Sequence, residues 1–438
     1  MQLVVTEKPS VAQAISHVIG AKERKDGYME GNGFLVSWCV GHLVELAQPE
    51  MYSEAWKKWS YESLPMIPEQ WQHEVKKETE AQYKILKNLM HDTRVDSVVC
   101  ATDAGREGEL IFRLVYEQAG CRKPMKRLWI SSMEESAIRD GFENLKPGSD
   151  YDRLYQSAIC RQQADWLVGI NASRLFSVLY HRTLNIGRVQ TPTLAMLVDR
   201  EVKIMNFEKE QYYMAHILMD GIDAMTERID DKARAESIAA ACESQMGVVR
   251  SVVKENKSVA PPKLYDLTTL QRDANRIFGF TAKQTLEYTQ SLYEKKLVTY
   301  PRTDSQYLSD DMEETVRAVI GAVYQAILFE EQTGVEPDIK RVLNSKKVTD
   351  HHAIIPTIEI AKTDLSAVPE GEMKILSLAA NRLLCATGEK QLYETVKAEF
   401  SCGDYSFHVS GKTVLQNGWK EFESALKRTY RLEKTDED

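Results

Sequence analysis

The sequence lacks the features that announce whole classes of protein. No apolar run in its 438 residues approaches the roughly 18 needed for a membrane-crossing helix. Its seven cysteines are scattered, with no Cys-x-x-Cys pair. That excludes a zinc ribbon or disulfide framework and fits reduced thiols in a cytoplasmic protein. There is no Gly-x-x-x-x-Gly-Lys-Ser/Thr loop and no Gly-x-Gly-x-x-Gly after a strand, so nothing points to ATP as a driving force. No repeat or low-complexity segment is found, and the first residues read as a strand, not a signal peptide. Positive charge is also short. A net charge of −9 excludes a wholly basic nucleic-acid binder but not a locally basic groove. The length points to two or more domains.

What is present centres on Leu297-Val298-Thr299-Tyr300-Pro301-Arg302-Thr303-Asp304-Ser305. Pro301 pushes Tyr300 toward extended backbone, so its phenol is expected to project from a strand end. Arg302 falls on the same side if the segment stays extended. A phenol, with a pKa of about 10, attacks only when its phenolate is stabilised. A guanidinium is always charged and matches phosphate oxygens bidentately. The pair suits attack on a phosphodiester. Alone, the same residues read more readily as a packed ring and a solvated arginine, so the rest of the chain decides.

Leu3 to Thr6 reads as a buried strand, followed by Glu7-Lys8 and a helix that Pro9 opens and Gly20 closes. Val95 to Ala101 reads as a second strand running into Thr102-Asp103-Ala104-Gly105-Arg106-Glu107-Gly108-Glu109. The next helix carries Leu110, Ile111, Leu114 and Val115 on one face. Lys126 to Ser131 reads as a third strand, and Ser132-Met133-Glu134-Glu135 as a capping box. Such alternation predicts an α/β fold with a parallel sheet, whose ligands sit at the carboxyl ends of strands. Glu7 and Asp103 both fall there. The segment with Trp56, Trp59 and Trp71 reads as an excursion from this sheet.

Residues 151–205 read as helical, with Arg161 and Asp165 on one face. Residues 207–257 turn β-rich, with strands at Tyr212 to Met219 and Gly247 to Val253 around a helix near 231–245. Pro261-Pro262 marks a boundary. Asp266 caps a helix, Phe278-Gly279-Phe280 turns the chain, and Thr281 with Gln284 starts the next helix. Helix, turn, helix and the Tyr300 segment resemble a winged helix-turn-helix layout. Strands near Thr395 to Ser401 and Ser406 to Val409 suggest that two β-rich pieces form one discontinuous domain.

Glu7, Asp103, Glu107 and Glu109 form an acidic set of the hard oxygen donors that suit Mg²⁺. Singly, each reads as a solvated loop acid; beside Lys8 and Arg106 they suit phosphate chemistry. His351 and His352 lack a third ligand at metal spacing. They read as proton-transferring or phosphate-contacting groups, or as satisfied core histidines. Arg161–Asp165 reads as an ordinary helix ion pair. Gly187-Arg188-Val189-Gln190 reads as a phosphate contact or a helix cap.

Together these motifs resemble, in order, those of type IA DNA topoisomerases, specifically the bacterial topoisomerase III kind. Val5-Thr6-Glu7-Lys8-Pro9-Ser10 and Thr102 to Glu109 resemble the acidic motifs of a Toprim domain. Ala164 to Asn171, Gly187 to Leu194, Leu264 to Thr268, Thr299 to Ser305 and His351 to Thr357 resemble further family motifs. The resemblance implies a multidomain α/β and α+β protein. Its parts would be a Toprim domain at 1–150, the first part of a helical base and DNA groove at 151–206, and the first part of a β-rich arch at 207–262. A winged-helix-like tyrosine domain at 263–357, a second arch part at 358–425 and a tail at 426–438 would follow.

The resemblance also implies Tyr300 as a nucleophile forming a 5′-phosphotyrosine link and Arg302 positioning the scissile phosphate. Glu7 would be an acid/base or metal residue and Lys8 a phosphate contact, with Glu7, Asp103 and Glu107 serving Mg²⁺. Arg161, Asp165, Trp166, Arg174, Ile186, Gly187, Arg188, Val189, Gln190, Thr191 and His351 would line a groove for single-stranded DNA. The implied reaction is ATP-independent breakage, strand passage and religation on negatively supercoiled or interlinked DNA, with salt-sensitive binding.

Two departures from the family pattern stand out. Gly105 occupies the place of a usual second aspartate, and the sequence stops at Asp438, where relatives usually return to the helical base. Helices at 153–180 and 190–204, with Leu154, Ile159, Leu167, Leu175, Leu179, Leu194 and Leu197, are therefore expected to lose cover. Cleavage is expected without efficient relaxation. A Toprim nuclease or primase would share the acidic motifs without needing Tyr300-Pro301-Arg302. A single-stranded DNA-binding fragment would share the groove alone.

Overall fold

The structure is a computed structural model that describes residues 1–131, 133–326, 329, 336–349 and 351–431. β1 (Gln2–Thr6) is buried from Leu3 onward, as a strand covered on both faces must be. α1 (Pro9–Ile19) starts on a proline at its first turn, where no hydrogen bond is lost, and ends at Gly20 with φ 85°. An antiparallel meander follows: β2 (Glu23–Lys25), β3 (Tyr28–Gly31) and β4 (Phe34–Trp38), with β4 parallel to β1. Sequence reading missed this meander, because Glu23-Arg24-Lys25 is exposed throughout and shows no apolar alternation. β5 (Val44–Leu46) and β6 (His73–Val75) form a separate ribbon that brackets the tryptophan-rich excursion and its short helix α2 (Pro49–Tyr52).

α3 (Glu80–His91), β7 (Ser97–Ala101), α4 (Arg106–Gln118), β8 (Met125–Arg127), α5 (Glu135–Glu143) and β9 (Lys146–Pro147) follow. They complete a seven-stranded sheet in the order β2-β3-β4-β1-β7-β8-β9, in which β4, β1, β7 and β8 run parallel. Alternate residues serve two cores. Leu3, Val5 and Val98 face α3 and α4, while Val4, Val36 and Val99 face α1 and α5. β8 stops at Arg127 and not at Ser131, because the Ser131 carbonyl instead accepts the backbone N–H of Tyr300 at 3.1 Å. Ser132, the expected cap of α5, lies outside the described residues. The N-cap is Glu134, which makes no side-chain capping bond.

α6 (Asp152–Leu179) packs against α4, and α7 (Gln190–Met205) has no buried residue at all. β10 (His216–Met219), β11 (Ile222–Met225), α8 (Lys232–Cys242) and β12 (Val248–Val259) come next. Then α9 (Leu267–Phe278), α10 (Ala282–Glu294), α11 (Glu313–Gln325) and α12 (Glu370–Thr387) precede β13 (Gln391–Cys402), β14 (Tyr405–Gln416) and α13 (Lys420–Thr429). The second sheet, β10-β11-β14-β13-β12, draws strands from both sides of the helical insertion. Its long strands outrun their sequence-read lengths because β12 is solvent-exposed over almost its whole length and carries no buried stripe. α12 packs against α9 and α10 rather than on this sheet. α13 occupies part of the stretch read as a tail; residues 432–438 lie outside the described residues. Asp266 with Thr269 and Thr281 with Gln284 form complete capping boxes on α9 and α10. Among the described residues no helix is long and apolar enough to cross a membrane.

Along α7, Leu194, Leu197, Val198, Val202 and Met205 form one helical stripe, and every one is exposed. Such a patch drives association. The 438-residue chain should therefore self-associate with rising concentration in sedimentation velocity, and Leu194→Glu with Leu197→Glu should shift it to monomer. A wild-type chain that stays monomeric at all concentrations would refute this.

Candidate active site

Tyr300 does not leave a regular strand. Val298 makes an isolated bridge to Pro356, and the Tyr300 backbone is held by Ser131 instead. This places the tyrosine segment directly over the carboxyl ends of β1 and β7. There Tyr300 Oη donates to Asp103 Oδ2 at 3.3 Å, and Arg302 Nη1 reaches the same oxygen at 3.4 Å. A cavity of about 590 Å³ is lined by Glu7, His42, Asp103, Gly105, Glu107, Arg161, Tyr300, Arg302 and His351, among others.

The electrostatics follow from burial. Loss of water, then repulsion from Asp103, pushes Glu7 up to about 7 against the pull of Arg302 and Lys8. Burial likewise raises Asp103 above the usual carboxylate range. Burial and the Asp103 charge raise the Tyr300 phenol, so it keeps its proton in this state. His351 is nearly inaccessible. Its Nε2 donates to the Ala104 carbonyl and its Nδ1 accepts from Ser131 Oγ at 2.9 Å, which fixes a neutral ring. Its ring centroid lies 4.3 Å from that of Tyr300. Trp129 and Tyr151 extend the stack beyond His351.

Arg127 and Glu109 hold the acidic loop in place. Glu109 belongs by sequence with the acidic set, but it is fully buried and bonded to Arg113 at 2.8 Å and Arg127 at 3.0 Å. It faces the core because it sits two residues from Glu107 on α4, on a different face. Arg127 donates in turn to the carbonyls of Cys100, Thr102, Asp103 and Leu128. Gly108 lets the first turn of α4 close on this loop, since a Cβ there would stand 2.1 Å from the Asp103 carbonyl oxygen. Arg127 went unread in sequence; a charge directly before the apolar run Leu128-Trp129-Ile130 was its one signal. His42, which lies 2.7 Å from Glu107 Oε1, had no signal beyond following a strand.

Other sequence-read residues stand apart. Lys8 is paired with Glu294 at 2.7 Å. Arg161, which does line the main cavity, and Arg188 both approach Asp165, at 3.7 and 2.8 Å, and a second cavity of about 350 Å³, lined in part by Asp165, adjoins the first through His42, Glu107 and Arg161. Trp166 is wedged against Tyr52 and Trp71 and donates to the Ala47 carbonyl. Arg174 is buried, bonded to the Trp56 carbonyl and lying over the Trp59 ring. Ile186 bonds to Ser173, and the Gly187 N–H donates to Thr191 Oγ1 at 3.1 Å. Val189, Gln190 and Thr191 form the start of α7. None of Lys8, Trp166, Arg174 or residues 186–191 lines either cavity. Among the described residues no three His, Cys, Asp or Glu side chains gather at metal-holding spacing. Glu7 and Asp103, two hard oxygen donors lining one cavity, fit the one or two carboxylates by which Mg²⁺ is usually held.

Glu7 and Asp103 lie in a Toprim domain, whose family model matches residues 2–133. The family model described as DNA topoisomerase matches residues 149–438, and the chain belongs to the type IA DNA topoisomerase family. It is 41% identical to DNA topoisomerase 3 of Bacillus cereus over 96% of this chain and 59% of that protein. Against DNA topoisomerase 3 of Bacillus licheniformis the identity is 42%, over 95% and 59%. The chain thus spans 59% of the length of these curated relatives. Full-length topoisomerase I from Thermotoga maritima shares the fold, with a TM-score of 0.72 at 22% identity, over 96% of this chain and 67% of that one.

Burial holds His351 down to about 4, against an ordinary 6.5. Between those pH values the unfolded chain takes up a proton that the folded chain refuses, so acid removes stability, by roughly 3 kcal/mol over the window. Urea midpoints of the wild type should fall more steeply than those of His351→Gln from pH 6.5 to 4. Glu7 and Asp103 titrate in both proteins, so parallel curves would mean that His351 is not held neutral.

Proposed function

We propose that this chain breaks one strand of DNA by attack of Tyr300 on a phosphodiester, holds it as a 5′-phosphotyrosine ester and rejoins it without ATP. The carrying observation is the shared contact of Tyr300 and Arg302 with Asp103 Oδ2 in one cavity with Glu7. In the forward step a bond forms between Tyr300 Oη and phosphorus, and the bond to O3′ breaks. Asp103 accepts the hydrogen bond of the phenol and is placed to take its proton. Glu7, near pH 7 in proton affinity, suits a general acid for the leaving 3′-hydroxyl and a general base for its return. Arg302 stabilises charge on the phosphoryl oxygens. His351, neutral and packed at a tilt against Tyr300, orients the ring. Because one ester replaces another, the energy for resealing is retained.

Mg²⁺ held by Glu7 and Asp103 would neutralise the carboxyl pair and steady a neighbouring phosphate. Glu107 is drawn to His42, which holds it below the usual carboxylate range. The substrate is single-stranded DNA within negatively supercoiled or interlinked DNA, entering past Arg161 and Asp165, and the setting is the cytoplasm. The bare stripe on α7 supports a second reading, in which the chain binds and cleaves strands but passes them inefficiently.

Tyr300→Phe keeps the ring and should abolish the covalent DNA adduct while single-stranded binding changes by less than about twofold. An adduct at wild-type yield would move the nucleophile elsewhere. The Gly105 backbone is extended, and a Cβ added there would meet nothing within 4 Å, so aspartate is accommodated. Gly105→Asp should lower the Mg²⁺ concentration for half-maximal cleavage several-fold. An unchanged or higher requirement would place Gly105 outside the metal site.

A further inference from the structure

Lys8 follows Glu7 directly, yet its ammonium does not face the cavity. It lies 2.7 Å from Glu294 Oε1, on the last residue of α10. The same carboxylate accepts from Gln290 Nε2 at 3.1 Å, and its other oxygen accepts from Ser10 Oγ at 3.3 Å. Three donors around one carboxylate form an anion seat. Two of the donors, Lys8 and Ser10, come from the β1–α1 turn, whereas the carboxylate comes from the helix that leads into Tyr300. Both partners of the ion pair are about one-third exposed or less, at 30% and 27% of their side chains, so a soluble anion can reach the seat. Glu294 and Tyr300 are close in sequence, so the pair also ties the tyrosine segment to the Toprim sheet.

We propose that Glu294 is a phosphate mimic, a positioning residue that acts through Lys8: its carboxylate occupies the Lys8–Ser10 seat in the DNA-free chain and yields it to a backbone phosphate of the bound strand. Strand binding and release of this interdomain tie are then one event. The proposal rests on the strand-breaking function proposed above. Free Lys8 adds one phosphate contact, and a charged Glu294 subtracts from that gain by recruiting a cation of its own when displaced.

The test uses the full chain and a fluorescent single-stranded oligonucleotide in anisotropy titrations across NaCl concentrations. Glu294→Gln should tighten binding about three- to tenfold at low salt and steepen the salt dependence by roughly one ion. Glu294→Asp, which keeps the charge, should not tighten it. Gln290→Ala, which loosens Glu294 without touching its charge or the Lys8 and Ser10 donors, should give a smaller shift in the same direction, and serves if Glu294→Gln folds poorly. In a Lys8→Ala background the Glu294→Gln gain should vanish. Unchanged affinity in both Glu294→Gln and Gln290→Ala, or a gain that persists without Lys8, overturns the proposal. Failure of every variant and the wild type to bind the oligonucleotide instead overturns the functional reading beneath it.

Discussion

A carboxyl group that loses water beside a second carboxyl resists taking a charge. Glu7 and Asp103 are in that position at the strand ends of the first sheet, and much of the surrounding structure answers to it. Arg302 supplies positive charge from the tyrosine segment, and the Tyr300 phenol donates to the same Asp103 oxygen. The site is therefore also the joint between two parts of the chain.

That joint tolerates little slack. Asp103 sits on a loop whose carbonyls are gathered by one buried guanidinium, Arg127, which Glu109 neutralises. Removing Glu109 would leave the fully buried Arg127 without its carboxylate, a change that typically costs several kcal/mol. The His351 ring closes the other side, fixed by Ala104 and Ser131 so that it packs on Tyr300 without adding charge. Rigid backing on both sides, with a cavity in front, suits the attack proposed for Tyr300, which needs a defined angle.

Much of this was legible in the sequence because it follows local rules. Alternating strands and helices defined the α/β class, Pro9, Asp266 and Thr281 marked helix starts, and Glu7 and Asp103 fell where a parallel sheet collects ligands. What escaped was non-local. The meander β2–β4 carries no apolar alternation, and the polar arms of β12–β14 are paired by register rather than by a buried stripe. Tyr300 was expected at a strand end, but its backbone partner is Ser131, a choice no local pattern encodes. Glu109 and Glu107 look alike in sequence; a turn of helix sends one to the core and the other to His42. Residue type also concealed Trp166 and Arg174, which here brace the tryptophan-rich excursion against α6.

The central claim is that Tyr300, and no other side chain, becomes joined to the 5′ side of a broken DNA strand. The direct measurement is to quench the chain with denaturant during reaction on a single-stranded oligonucleotide, digest it, and identify the peptide that carries DNA by mass spectrometry. The expected product is one adduct, on Tyr300, bearing a 5′-phosphate with a free 3′-hydroxyl on the other fragment. Attachment to another residue, or a 3′-phosphate link, would contradict it.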